Sequence, residues 1–276
     1  MGTVTDRRLV VRVANGHQTR RPDTLVVEDP LEIRVNGKPL AVTMRTPGDD
    51  VDLAHGFLLT EGIIANSKDV VTARHCASSD TEPSGAYNVL DVTLAPHVPP
   101  PDVDPTRNFY TTSSCGVCGK ASIDAVRTTS RYALADDPLR VAAPVLAELP
   151  DRLRTSQRVF DRTGGLHAAG LFTTDGELVC LREDVGRHNA VDKVIGDAVR
   201  GERLPLAGLV LLVSGRASFE LTQKASMAGI PMLAAVSAPS TLAVDLAAEV
   251  GMTLIGFLRP GRMNIYACPE RVELDG

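Results

Sequence analysis

The chain has no tryptophan, and aromatic residues make up only 4% of its 276 positions. Its interior must therefore be built from Val, Leu, Ile and Ala, for which a hydrophobic content of 43% is ample. It has no excess of positive charge: the formal net charge is −5 and the pI about 5.7. That argues against a basic surface coating nucleic acid, while leaving room for a local anion site. It has no long hydrophobic run. Leu206 to Val213, the longest, is far shorter than a membrane span. Residues 1–13 mix charges with Val and Leu and show no signal-peptide pattern. Cysteine is scarce and odd in number, with Cys76, Cys180 and Cys268 far apart among five. That usage suits a reducing compartment better than a disulfide framework, so a cytoplasmic protein is expected. There is no phosphate-binding G-x-x-x-x-G-K-[ST] and no G-x-G-x-x-G, so neither an NTPase nor a dinucleotide oxidoreductase is supported. No G-x-S-x-G or paired-carboxylate arrangement points to hydrolysis.

The remaining two cysteines stand together in Ser113-Ser114-Cys115-Gly116-Val117-Cys118-Gly119-Lys120. A C-x-x-C pair in a small, polar, glycine-rich setting suits a metal knuckle, a redox disulfide or a sulfur relay. A structural zinc site needs four ligands, and no second C-x-x-C exists. A zinc deaminase would carry P-C-x-x-C with an upstream H-x-E. Here Ser114 precedes the pair, and none of the six histidines has Glu two residues later. A thioredoxin-like pair would follow a strand with an aromatic lead-in, and Thr111 to Ser114 is polar. A sulfur relay needs an accessible thiolate. If Lys120 opens a helix, its N-terminus and the Lys120 charge would stabilise one. Gly116 and Gly119 would leave room for a partner to reach the sulfur.

The first hundred residues read as β-rich. Strands are expected at Leu9 to Val13, Leu31 to Val35 and Leu40 to Met44, the last two joined by an Asn36-Gly37 hairpin turn. Pro47-Gly48-Asp49-Asp50 is a turn leading into a helix over Asp50 to Glu61, with Leu53, Phe57 and Leu58 on its buried face. Val70 to Cys76 and Tyr87 to Leu94 are further strands. Five prolines between Pro96 and Pro105 make a loop and a candidate boundary between domains 1–105 and 106–276.

Beyond the cysteines, Lys120 to Val126 and Pro144 to Phe160 read as helices. Strands Ala168 to Thr174 and Glu177 to Leu181 flank an Asp175-Gly176 turn. His188 to Arg200 reads as an amphipathic helix. Strand Leu209 to Val213, helix Phe219 to Ala228, strand Met232 to Val236, helix Thr241 to Val250 and strand Met252 to Leu258 follow. The alternation with apolar strands predicts an α/β domain, its mixed or parallel sheet covered on both faces.

The cysteine segment resembles the signature of the formate dehydrogenase accessory sulfurtransferases, the FdhD family. So do Arg182 to Lys193 (REDVGRHNAVDK), Ser214 to Glu220 (SGRASFE) and the tail Gly256 to Tyr266 (GFLRPGRMNIY). The resemblance spans roughly residues 20 to 270. It implies an α/β fold, α+β overall: a small N-terminal domain plus a cytidine-deaminase-like α/β domain without the deaminase zinc. It implies a sulfurtransferase that takes sulfane sulfur from a cysteine desulfurase as a cysteine persulfide. The sulfur goes to the molybdenum cofactor, a bis-molybdopterin guanine dinucleotide needed by the formate dehydrogenase catalytic subunit. A homodimer is also implied. Cys115 matches the persulfide carrier, and Cys118 a second carrier or a resolving thiol. Phe257, Leu258, Arg259, Pro260, Gly261 and Arg262 match the cofactor-binding stretch, where arginines suit phosphate oxygens and Gly261 permits close approach. The loops at Gly186-Arg187 and Ser214-Gly215-Arg216 are second-line cofactor candidates, since ligands favour the carboxyl ends of strands and anions favour helix N-termini. His167, after Thr163-Gly164-Gly165-Leu166, could line the same cleft, but the residue type alone assigns it no role. A metal site, nucleic acid and membrane are not expected. The competing functions are a cofactor chaperone that does not need the cysteines and a thiol-disulfide oxidoreductase.

Overall fold

The structure, a computed structural model, describes residues 3–76, 88–101 and 129–274. The C-x-x-C segment and the expected helix Lys120 to Val126 lie outside them.

Among the described residues, strands β1 (Thr5–Ala14) and β2 (His17–Val26) pair only with each other, as an antiparallel hairpin. Its turn is Asn15-Gly16, both at positive φ (51° and 77°), which matches the twist of a two-residue hairpin. Next come β3 (Asp29–Val35), β4 (Lys38–Arg45), helix α1 (Asp50–Thr60), β5 (Val70–Cys76) and β6 (Val89–Leu94). These four strands form a sheet in the order β4-β3-β6-β5. The expected Asn36-Gly37 turn joins β3 to β4.

The second half holds β7 (Val141–Ala142), α2 (Ala143–Ser156), α3 (Arg158–Thr163), β8 (His167–Phe172), β9 (Leu178–Asp184), α4 (Arg187–Arg200), β10 (Val210–Val213), α5 (Phe219–Met227), β11 (Met232–Ala235), α6 (Thr241–Val250), β12 (Thr253–Arg259), β13 (Arg262–Ala267) and β14 (Val272–Glu273). Six of its strands form a mixed sheet, order β13-β12-β11-β10-β8-β9, parallel only across β10, β11 and β12. Consecutive strand residues face opposite sides, and both sides are covered. Ala169, Leu171, Leu211, Val213, Leu233 and Ala235 join one core with α1, α4, α5 and the four-stranded sheet. Ala168, Phe172, Val210, Leu212, Met232 and Ala234 join a second core beneath Leu146, Leu149 and Leu153 of α2. Covering both faces explains why β10 and β11 are apolar at every position.

Two readings change. The helix expected over Pro144 to Phe160 is broken at Gln157. The Glu183 carboxylate accepts the backbone N–H groups of Val159 (2.9 Å) and Phe160 (2.8 Å), so a new helix starts there. Helix α4 is not amphipathic in the usual sense, because eleven of its fourteen residues are buried. Helix α1 covers the face that would otherwise meet water. The crossing depends on two glycines. A Cβ on Gly56 would fall 1.9 Å from the Asp192 carbonyl oxygen, and one on Gly196 would fall 1.7 Å from that of Asp52. The backbones of α1 and α4 therefore touch, clamping the N-terminal sheet onto the second half.

Candidate functional site

The carboxyl ends of β10, β11 and β12 lie at one end of the six-stranded sheet, with the start of β8 and the end of β9. The loops there are knitted together. Ser237 N–H donates to the Gly215 carbonyl (3.2 Å), Ser240 N–H to Ala217 (3.0 Å) and Phe257 N–H to Ser237 (3.1 Å). Helices α4, α5 and α6 all begin at this end. Ser218 caps α5 and Ser240 caps α6, but α4 starts at Gly186 with no side-chain cap and no acidic residue in its first turn. In open α/β sheets this is where ligands bind.

Much of the Arg182 to Lys193 motif is used internally. Asp184 is sealed from solvent and pairs with Lys193 at 2.8 Å. It also accepts from Gly186 N–H (2.8 Å), Thr46 N–H (3.1 Å) and the Asn189 amide (3.1 Å). Lys193 donates to the Thr46 carbonyl (2.9 Å) and Asn189 to that of Met44 (2.8 Å). The end of β4 is thereby tied to the start of α4. One helical turn along, Asp192 takes both carboxylate contacts from Lys224 (2.8 Å) and one from the Thr60 hydroxyl (3.1 Å). Arg182 bridges Asp52 (3.0 Å) and Asp197 (2.8 Å). The Asp184–Lys193 and Asp192–Lys224 pairs are buried or nearly so, and each side chain there satisfies another that folding has removed from water; the Arg182 bridge is partly exposed.

Arg187 and His167 are not absorbed in this way, and His188 is absorbed through only one of its ring nitrogens. His188 is 8% exposed. Its Nε2 lies 2.7 Å from Glu220 Oε2 and 3.4 Å from Ser218 Oγ, both on the first turn of α5. Its Nδ1 is buried with no hydrogen-bond partner, as is Nε of Arg187. With Nε2 turned to Glu220 and Ser218, Nδ1 is the ring position left without a protein partner. His167 is half-buried next to Gly215, where a Cβ would stand 3.5 Å from its Nδ1. Burial, with the charges of Arg187 and His188, pushes the His167 imidazole below its ordinary range.

The Phe257 to Arg262 stretch projects from the same end. Phe257 sits at positive φ (52°) in a bulge of β12 and is 38% exposed. Arg259 and Arg262 face each other across the Pro260-Gly261 turn and are exposed, as are the turn residues. Gly261 has a φ of 75°, which the turn requires. Leu258 is different: it is fully buried in the α2 core and serves packing. The described part of the site thus joins the Gly186-Arg187 loop, the Ser214 to Glu220 loop, His167 and Phe257 at one sheet end. Cys115 and Cys118 lie outside the described residues. Thr46 and the pairing of His188 with Glu220 had no signature in the sequence.

Two of the other cysteines, Cys180 and Cys268, are poor carriers. Burial pushes the Cys180 thiol up to about 12, and burial also raises that of Cys268. Among the described residues, no group of three or more His, Cys, Asp or Glu could hold a metal ion, and no helix is long and apolar enough to cross a membrane.

This fold is shared with a solved structure. A crystal structure of a putative formate dehydrogenase accessory protein from Desulfotalea psychrophila superposes with a TM-score of 0.76, over 98% of this chain and 100% of that one, at 21% identity. That likeness concerns the fold. The FdhD/NarQ family model matches residues 26–273, so the chain belongs to the FdhD/NarQ family. A sulfur carrier protein FdhD from Streptomyces coelicolor is 66% identical over 275 residues, 99% of this chain and 98% of its own. One from Mycobacterium tuberculosis is 59% identical, covering 99% and 100%.

Proposed function

We propose that this chain is a sulfur carrier acting as a sulfurtransferase. It accepts sulfane sulfur from a cysteine desulfurase as a persulfide on Cys115 and delivers it to bis-molybdopterin guanine dinucleotide, the cofactor of a formate dehydrogenase. The observation that carries this reading is end-to-end similarity, at up to 66% identity, to proteins named sulfur carriers, joined to a C-x-x-C in a polar, glycine-rich run.

The chemistry is thiolate chemistry throughout. Attack of the Cys118 thiolate on the outer sulfur of a Cys115 persulfide moves the sulfane sulfur to Cys118 and releases the Cys115 thiolate. Attack on the inner sulfur instead closes a Cys115–Cys118 disulfide and releases hydrosulfide. The cofactor is the cargo. Phe257 and the exposed Arg259 and Arg262 stand at the sheet end where they could meet its guanine and phosphate groups, with the Ser214-Gly215-Arg216 loop beside them. Under this reading the second half is a cytidine-deaminase-like domain adapted to hold a nucleotide without zinc. The protein works as a homodimer in the cytoplasm and meets two partners in turn, the desulfurase and the dehydrogenase catalytic subunit.

The test is formate dehydrogenase activity in cells lacking their own carrier and supplied with wild type, Cys115→Ala or Cys118→Ala. Wild type is expected to restore activity and Cys115→Ala to fail. Full restoration by both variants would remove the transferase reading and favour a chaperone that binds the cofactor without handling sulfur.

A further inference from the structure

We propose that Arg187 and His188, on the first turn of α4, form the anchor for a diphosphate group. The inference rests on the reading above only for the source of that diphosphate, the nucleotide portion of the cofactor. The site itself stands on geometry.

Helix α4 has fourteen residues, and its N-terminus carries the positive end of the helix dipole. Helices ordinarily balance that end with an acidic side chain or an oxygen cap. Here the cap is Gly186, the first turn holds no acid, and the first residue is a further cation, Arg187. Of the nearby carboxylates, Asp184 pairs with Lys193 at 2.8 Å and accepts from Gly186 N–H, and Glu220 pairs with His188 at 2.7 Å, so neither forms an ion pair with Arg187. The charge of Arg187 is therefore uncompensated among the described residues.

Two buried nitrogens lack partners at this point, Nε of Arg187 and Nδ1 of His188. A buried polar atom without a hydrogen bond is costly to leave unpaired, and the other ring nitrogen of His188 is already paired with Glu220 at 2.7 Å. A ligand oxygen would satisfy both. An anion fits best. Arg187 offers a planar fork of donors, the first turn of a helix leaves backbone N–H groups without intrahelical partners, and His188 adds a buried ring nitrogen that has no partner. Gly215 adds no side chain beside His167. By contrast, Arg259 and Arg262 lie on an exposed turn with no orphaned buried atom between them.

The test is calorimetric titration of the full-length protein with inorganic pyrophosphate and with GDP. The variants are Arg187→Gln, Arg187→Lys, His188→Gln and the pair Arg259→Gln/Arg262→Gln, with urea unfolding to check that each folds. Arg187→Gln and His188→Gln are each expected to weaken both probes about tenfold or more. Arg187→Lys should fall between, and Arg259→Gln/Arg262→Gln should weaken pyrophosphate less than Arg187→Gln does. In unmutated protein carrying nitrogen-15 histidine, the His188 Nδ1 resonance should shift on adding pyrophosphate. Wild-type affinity in both Arg187→Gln and His188→Gln, or no His188 shift at saturation, overturns the proposal. If GDP binding is then lost only in the Arg259/Arg262 variant, the cofactor reading survives without this anchor. If wild type binds neither probe, both fall.

Discussion

Asp184 and Lys193 meet at 2.8 Å with 0% and 2% of their side chains exposed. They join the last residue of β9 to the second turn of α4 and, through Thr46, hold the end of β4. Removing one member leaves the other charged in a dry site, which costs about 3–5 kcal/mol. Lys193→Met is expected to lose stability in that range by urea unfolding. A loss below about 1 kcal/mol would mean that the pair is solvated and does not fasten the two halves.

Gly56 and Gly196 mark where α1 and α4 touch. An added methyl at either would overlap a backbone carbonyl, and backbone cannot yield as a flexible side chain can. Gly56→Ala and Gly196→Ala are each expected to cost at least about 1–3 kcal/mol by the same measurement. Alanine is the better helix former by about 1 kcal/mol, so neutral or stabilising variants would contradict the crossing.

Strand β5 and helix α6 fall at the residues their patterns indicate, Val70–Cys76 and Thr241–Val250. The apolar strands of the central sheet were legible for the same reason: burial on two faces leaves no polar alternative. Strand β2 was not legible. His17–Val26 carries three charges and Pro22, and its ladder has no buried face to impose a period. Strand β13 is an edge strand with alternating exposed residues, and in sequence it passes for the tail of a turn. At the site, the family resemblance brought out the Arg182 to Lys193 and Ser214 to Glu220 segments, and their place at strand ends made Gly186-Arg187 and Ser214-Gly215-Arg216 second-line candidates. It could not separate Asp184, Asn189 and Lys193, which hold the framework, from Arg187 and His188, which do not. The difference lies in partners such as Thr46, about 140 residues away.

Cys180 is 7% exposed, and burial pushes its thiol up to about 12. At pH 8 it stays protonated and is a poor nucleophile. Iodoacetamide at pH 8 is expected to leave Cys180 unmodified in the folded protein and to label it in urea, as read by peptide mass spectrometry. Rapid labelling of the native protein at Cys180 would contradict its burial.

His55 is 6% exposed and bound through Nδ1 to the Val51 carbonyl at 2.7 Å. Burial holds its imidazole below the ordinary 6.5. The unfolded chain therefore takes up a proton near pH 6.5 while the folded chain does not. The contribution to stability is complete above that pH and is lost as pH falls below it. Between pH 7.5 and 5.5, urea-unfolding stability is expected to fall less steeply in His55→Gln than in wild type. Equal slopes would show that His55 does not take part.

The central claim is that Cys115 carries sulfur. Intact-protein mass spectrometry after incubation with a cysteine desulfurase and cysteine tests it most directly. Wild type and Cys118→Ala are expected to gain a sulfur-mass adduct, removed by reducing agent, and Cys115→Ala to gain none. An adduct that persists in Cys115→Ala, or a wild type that never acquires one, would contradict it.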